Sequence, residues 1–363
     1  MLFNVLSLIC LAIITNAAVV KRDEPKVIRM DVKQGVSELV KRGDATGSSE
    51  LTQVFYSYAD LKIGSNKDPV SLLIDTGSWL THIFDSNVTC SGCKNTGLYN
   101  SSQSSTVVKL GKRGQSFFGA HAYYIGELVS DSIQIGDLNV PEVLFNDVHN
   151  TSGFGNGILG LAKPSTKDES IAWVAKNHGL INKAAYSLII QHLDGSDGSL
   201  VIGGYDAAKV NGEINWTSIK NSNIHALLSE VKINGQTIPV NKQYTLDTGG
   251  GTGFLPEAAY NQVIANLPED PKFGTDRSQI TCSLLEGKTF TYNLNGVEYE
   301  IPLRDFYTPK ETNGVCKLGL QKGNAAQLGA WIFRNLLLAV DLEGDLFGLA
   351  SLKNTTETNI KLF

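Results

Sequence analysis

The tripeptide Asp-Thr-Gly occurs twice in this chain, each time at the end of an apolar run. The two contexts are Ser71-Leu72-Leu73-Ile74-Asp75-Thr76-Gly77-Ser78 and Gln243-Tyr244-Thr245-Leu246-Asp247-Thr248-Gly249-Gly250. A carboxylate closing a buried strand costs several kcal/mol unless hydrogen bonds or a shared proton compensate it. One such group could be structural. Two in matching contexts imply a duplicated half-site whose aspartates meet, the arrangement that two-carboxylate acid–base chemistry requires. The duplication extends further along the chain. Gly157-Ile158-Leu159-Gly160-Leu161 follows the first aspartate, with Gly160 85 residues after Asp75, and Gln327-Leu328-Gly329-Ala330 follows the second, with Gly329 82 residues after Asp247. Near-equal spacing of the same elements predicts two halves about a pseudo-two-fold axis. In each half the companion glycine allows close backbone approach to the aspartate loop.

A chain of 363 residues can bury the large core of two lobes. Its 36 glycines and the Val/Ile/Leu/Tyr runs broken by Gly, Asn, Asp and Ser favour β structure. Ile133-Gln134-Ile135-Gly136-Asp137-Leu138 and Ser199-Leu200-Val201-Ile202-Gly203-Gly204 both read as strands running into glycine turns. One helix is expected from Pro256 to Leu267, where Tyr260, Val263, Ile264 and Leu267 form an apolar stripe behind an initial proline. The expected architecture is therefore all-β and bilobal, with the boundary near residues 205–220: an N-terminal lobe over 43–212 and a C-terminal lobe over 213–363. A net charge of −5 leaves no basic footprint for nucleic acid.

Residues Leu2 to Val20 are apolar and end in small residues around Ala17 and Ala18, which reads as a secretory signal peptide over 1–18. Two dibasic pairs follow, Lys21-Arg22 and Lys41-Arg42. A propeptide over 19–42, removed at Arg42 by a dibasic-specific processing protease, is the expectation. The C-terminus has no hydrophobic anchor tail, and no second apolar stretch is long enough to span a bilayer. Secretion as a soluble monomer is expected. Once Cys10 leaves with the signal, Cys90, Cys93, Cys282 and Cys316 remain, and local pairing predicts Cys90–Cys93 and Cys282–Cys316. The Cys-x-x-Cys lacks a second such motif or a close histidine pair, so neither a metal nor another cofactor is expected. Asn87, Asn100, Asn150, Asn215 and Asn354 lie in N-x-S/T sequons, consistent with a glycoprotein.

Two aspartates a few ångströms apart cannot both ionise comfortably, so the pair retains one proton. The ionised member can take a proton from a bound water, and the protonated one can donate to a substrate carbonyl. Water then attacks the amide without a covalent intermediate. Thr76 and Thr248 are expected to bond across the axis. Gly77 and Gly249 leave room for backbone N–H groups to reach the carboxylates, and Ser78 can add a side-chain donor.

With these motifs the chain resembles the pepsin-like aspartic proteases, most closely the secreted fungal and yeast enzymes. The resemblance spans residues 50–352 and rests on Asp75-Thr76-Gly77-Ser78, Asp247-Thr248-Gly249, Gly157 to Leu161, Leu328-Gly329, and Gly126-Glu127-Leu128 leaving the flap. Cys282 and Cys316 resemble that family's C-lobe disulfide. It implies a β-hairpin flap over a cleft that holds an extended peptide, activity at acid pH, and protein or peptide substrates. Leu73, Phe118 and Ile158 map near the S1 pocket of such enzymes, so a large apolar residue at the cleavage site is implied. Gly119, Gly250 and Gly251 map to substrate-backbone contacts.

Four departures stand out. Phe118-Gly119 occupies the position of the usual flap tyrosine, with Tyr123 or Tyr124 as the alternative alignment. His82 stands where a tryptophan normally bonds that tyrosine. Gly250 replaces the hydroxyl residue that normally supports the second aspartate, and Ala330 replaces a common acidic residue. Loss of a donor to Asp247 should raise its proton affinity. The alternative function is accordingly a catalytically weakened peptide- or protein-binding module. Serine and metallo-hydrolase chemistry is disfavoured, because the chain has neither GxSxG nor HExxH.

Overall fold

A computed structural model describes residues 26–39, 52–90, 97–118, 122–136, 138–153, 155–192, 196–220, 222–274, 277–307 and 313–363. The signal segment, Arg22, Arg42, Cys93 and Gly119 lie outside the described residues.

Strand dominates, as the glycine-punctuated apolar runs predict. Among the described residues the largest sheet has 13 strands. Its order from one edge is Val210–Ser218, Leu346–Leu352, Leu336–Asp341, Ala185–Gln191, Asp197–Ile202, Ile28–Leu39, Thr52–Ile63, Asp68–Asp75, Ile158–Gly160, Thr81–Thr89, Leu138–Ser152, Tyr123–Ile135 and Val108–Phe117. Strands from the second half of the sequence therefore form one end of it, joined to the first half where Leu337 to Asp341 pair against Ala185 to Ile189. A second sheet of five strands belongs to the C-terminal half, in the order Val297–Pro302, Thr289–Leu294, His225–Ile233, Gln236–Leu246, Gln327–Leu328. The main core fills the space between these layers with Val, Ile, Leu, Phe and Tyr side chains.

The expected repeat is visible in the strand register. Asp68–Asp75 runs parallel to Ile158–Gly160, with Leu73 opposite Ile158 and Asp75 opposite Gly160. In the other half Gln236–Leu246 runs parallel to Gln327–Leu328, with Thr245 opposite Gln327 and Leu246 opposite Leu328. Position 327 is thus the counterpart of position 158.

The strand Ile28–Leu39 lies within the stretch expected to be propeptide. It pairs antiparallel with Asp197–Ile202 on one side and Thr52–Ile63 on the other, and it buries Ile28, Met30 and Val32 in the core. The expected helix forms as Glu257–Asn266 with Pro256 at its N-cap; Ala259, Val263 and Leu267 are buried, while Tyr260 and Ile264 pack against the core. Cys282 and Cys316 form a disulfide with Cα atoms 5.2 Å apart. They join the short antiparallel pair in which Ile280 faces Cys316. Cys90 is also disulfide-bonded. Among the described residues no helix is long and apolar enough to cross a membrane.

Candidate active site

Each Asp-Thr-Gly leaves the end of its buried strand and turns toward the other. Thr76 N donates to Thr248 Oγ1 at 3.1 Å and Thr248 N to Thr76 Oγ1 at 3.0 Å. The two hydroxyls donate onward, Thr76 Oγ1 to the Leu246 carbonyl at 2.9 Å and Thr248 Oγ1 to the Ile74 carbonyl at 2.8 Å. Both threonines are fully buried, so these four bonds satisfy groups that water cannot reach. They also tie each loop to the strand feeding the other.

The glycines carry out the role expected of them. Gly77 N donates to Asp75 Oδ1 at 2.8 Å and Gly249 N to Asp247 Oδ1 at 2.9 Å. A Cβ on Gly77 would sit 2.6 Å from Asp247 Cγ, and one on Gly249 would sit 2.3 Å from Asp75 Cγ. Each carboxyl therefore occupies the space that a side chain on the opposite loop would need. Asp247 is hydrogen-bonded to Asp75, and burial, followed by the Asp75 charge, holds its carboxyl well above the usual carboxylate range.

The outer oxygens are supported differently in the two halves. Ser78 Oγ donates to Asp75 Oδ2 at 2.6 Å. The expectation that Asp247 lacks such a donor is corrected: Gln327 Nε2 reaches Asp247 Oδ2 at 2.8 Å from the neighbouring parallel strand. Gly250 makes this possible, since a Cβ there would lie 1.8 Å from Gln327 Nε2. Gly329 permits a similar close approach, its missing Cβ leaving room for the carbonyls of Gly250 and Thr252. Ala330 is buried, and its N–H bonds the Gly250 carbonyl at 2.7 Å.

The hairpin of Val108–Phe117 and Tyr123–Ile135 forms the flap, with Phe118 just past its first strand. The Phe118 ring lies 5.2 Å from Tyr124 and 6.2 Å from His82, and His82 lies 4.9 Å from Tyr124. Tyr124 is buried and donates its hydroxyl to the Asn156 carbonyl at 2.6 Å, while Phe118 stands where the first flap strand ends, its N–H bonded to the Ala122 carbonyl at 2.8 Å. His82 is buried among these rings, and that burial pushes its pKa down to about 3. Its Nδ1 lies 3.1 Å from Asn146 Nδ2, so Nδ1 accepts and Nε2 carries the proton. Asn146 enters between paired Gly114 and Gly126, where a Cβ on either would meet its Oδ1, at 2.2 and 2.7 Å.

Leu73 and Ile158 are packed in one apolar cluster with Tyr56, Phe84, Tyr124 and Val148, and Phe118 lies against it. Gly250 and Gly251 border Asp247 and are half-buried. Of the sequons, Asn87, Asn150, Asn215 and Asn354 are exposed and Asn100 is half-buried. Among the described residues, Asp85, Asp147 and His149 bring potential metal-ligating atoms within 4.8 Å of one another. The residues that motif reading missed are Gln327 and Asn146. The former stands one place before the Leu328-Gly329 companion, as Ile158 stands before Leu159-Gly160. That position was a usable signal.

A two-lobed β fold with twin Asp-Thr-Gly loops, locked threonine to threonine beneath a hairpin flap, defines a pepsin-type aspartic peptidase. The chain belongs to the eukaryotic aspartyl protease family, whose pattern it matches over residues 56–352, and it is an aspartic-type endopeptidase. It is 26% identical over 412 aligned residues to candidapepsin-4 of Candida albicans strain WO-1, covering 98% of each chain. With candidapepsin-3 of the same strain it shares 28% identity, covering 85% of this chain and 82% of the relative. The secreted aspartic protease 8 of Candida albicans is likewise 28% identical, over 88% of this chain and 81% of its own.

Proposed function

We propose that this chain is a secreted acid endopeptidase in which Asp75 and Asp247 share one proton and activate a water against a peptide bond. The observation that carries the reading is the equal support of the two carboxyls. Each inner oxygen has a backbone N–H and each outer oxygen a side-chain donor. A pair supported in this way, one member held protonated beside the other, supplies a base for water and an acid for the substrate carbonyl. The weakened binding-module reading drew on Gly250, Gly251 and Ala330, and the donor that Gln327 gives Asp247 favours the peptidase reading over it.

Leu73, Ile158 and Phe118 favour a large apolar residue on the amino side of the scissile bond. Relatives named secreted aspartic proteases support an extracellular, soluble location. The four exposed sequons support glycosylation there. Maturation from a zymogen by a dibasic-specific protease accords with Lys21-Arg22 and Lys41-Arg42.

The test is pepstatin-sensitive cleavage of a denatured protein between about pH 3 and 5, the range in which a close carboxyl pair holds one proton. Asp75→Asn should lower kcat by roughly 10³-fold or more and leave the melting temperature within a few degrees. Absence of cleavage by the fully matured wild type would sink the reading.

A further inference from the structure

We propose that Gln327 is a positioning residue that holds the outer oxygen of Asp247 as a hydrogen-bond acceptor and so confines the shared proton to the inner side of the dyad. The inference rests on the peptidase reading and adds a residue to that site. At Asp75 the supporting group is the Ser78 hydroxyl. A hydroxyl carries a donor and two lone pairs, so it can turn to accept if the outer oxygen becomes protonated. At Asp247 the supporting group is the Gln327 amide nitrogen, 2.8 Å from Oδ2. An amide nitrogen only donates. A proton placed on Oδ2 of Asp247 toward that nitrogen would face another proton, so the resting proton belongs on the side where Asp247 bonds Asp75.

The substitution is a coordinated exchange. Gln327 occupies the register position that Ile158 holds in the first half, opposite the second residue before the aspartate. An apolar wall of one half-site has become the polar support of the other. Gly250 is its necessary partner, because a Cβ there would come within 1.8 Å of the amide nitrogen. A side chain at 250 would therefore displace the amide end of Gln327 from its place, and a hydroxyl there would compete with that amide for the same carboxyl oxygen.

The experiment compares the mature wild type with Gln327→Val, Gly250→Ser and the double variant, measuring kcat, KM and their pH profiles. In parallel, the Asp247 carboxyl is titrated by carbon-13 NMR on aspartate-labelled protein, with Asp247→Asn assigning the resonance. Gln327→Val should lower kcat about tenfold with KM little changed. Removing a donor from the ionised form raises proton affinity, so the Asp247 titration and the alkaline limb should move up by about one pH unit. Gly250→Ser alone must push the Gln327 amide off Oδ2 and should cost no more than Gln327→Val, because its own hydroxyl can take the place of that donor. Combined with Gln327→Val, however, it should recover activity to within about threefold of wild type and return the titration to its original place. A Gln327→Val protein with unchanged titration, or a serine at 250 equally harmful in both backgrounds, would overturn the proposal. If wild type cleaves nothing, the peptidase reading fails while the NMR titration still decides the role of Gln327.

Discussion

Gly249 has no side chain because the carboxyl of Asp75 stands where one would go, 2.3 Å from its virtual Cβ. Glycine at such a position is a packing requirement set by a residue 174 places away in the chain. Gly249→Ala should therefore push Asp75 from its place and lower kcat/KM by roughly 10²-fold or more, since catalytic groups displaced by about 1 Å lose that much. Circular dichroism on the same sample should show an intact β fold; undiminished activity would show that the loops have slack. His82 shows the same dependence on surroundings. In the family it resembles, an indole at this position bonds a flap tyrosine. Here imidazole, phenyl and phenol rings make an edge-packed cluster instead, with Asn146 satisfying the ring nitrogen. Phenylalanine at 118 has no hydroxyl to satisfy, so the bond to His82 falls to Asn146, whose Oδ1 is buried without a hydrogen-bond partner among the described residues.

Among the elements, the strand Ile28–Leu39 has the largest consequence. It completes the pairing of the central sheet, with Ile28 to Val32 facing Gly198 to Ile202 and Lys33 to Leu39 facing Thr52 to Tyr58. Removing it would expose two unpaired strand edges and the core positions of Ile28, Met30 and Val32. We expect this strand to persist in the mature protein, so that maturation falls at Arg22, or a cut at Arg42 leaves the strand bound in the sheet. Intact-mass analysis and N-terminal sequencing of the purified enzyme should find residues 28–39 with the rest of the chain. A deletion variant lacking residues 23–42 should be insoluble or melt far lower. A stable, active truncated enzyme would show that the sheet tolerates the loss. The flap is the other element whose form matters. Its two strands pair through Gly114 and Gly126, and the gap between these glycines admits Asn146 to His82.

At the scale of the whole molecule, buried titratable groups make stability depend on pH in opposing directions. His82 has its pKa lowered to about 3 by burial, so the stabilisation of keeping it neutral is full above pH ~6.5 and is lost as pH falls toward 3, about 4–5 kcal/mol in all. Asp147 is pushed up to about 6 by burial. Its contribution is full below pH ~3.9 and is lost as pH rises through 6, about 3 kcal/mol. Asp247 acts in the same direction as Asp147, its raised proton affinity favouring the fold in acid. Urea denaturation of Asp147→Asn should thus show a gain relative to wild type at pH 7 that vanishes at pH 3.5. His82→Phe should flatten the loss between pH 6.5 and 3.5. Identical pH slopes in all three proteins would refute these assignments.

The twin Asp-Thr-Gly motifs, their companions at matched spacing and the all-β pattern were legible in the chain, because buried strands, turns and close backbone contacts each demand particular residues locally. So was the Pro256-initiated helix, whose apolar stripe meets the core as its period requires. What local pattern did not reveal depends on contacts between distant segments. Gly250 looks like a lost donor until Gln327, 77 residues on, is placed against it. Residues 28–39 look like a dispensable lysine-bearing arm until Asp197–Ile202 and Thr52–Ile63 pair with both their edges. The sequence by itself determined that two aspartates would meet within a duplicated β fold. Only the tertiary structure decided which groups hold each carboxyl, because a hydrogen bond depends on atoms within about 3 Å in space, whatever their separation along the chain.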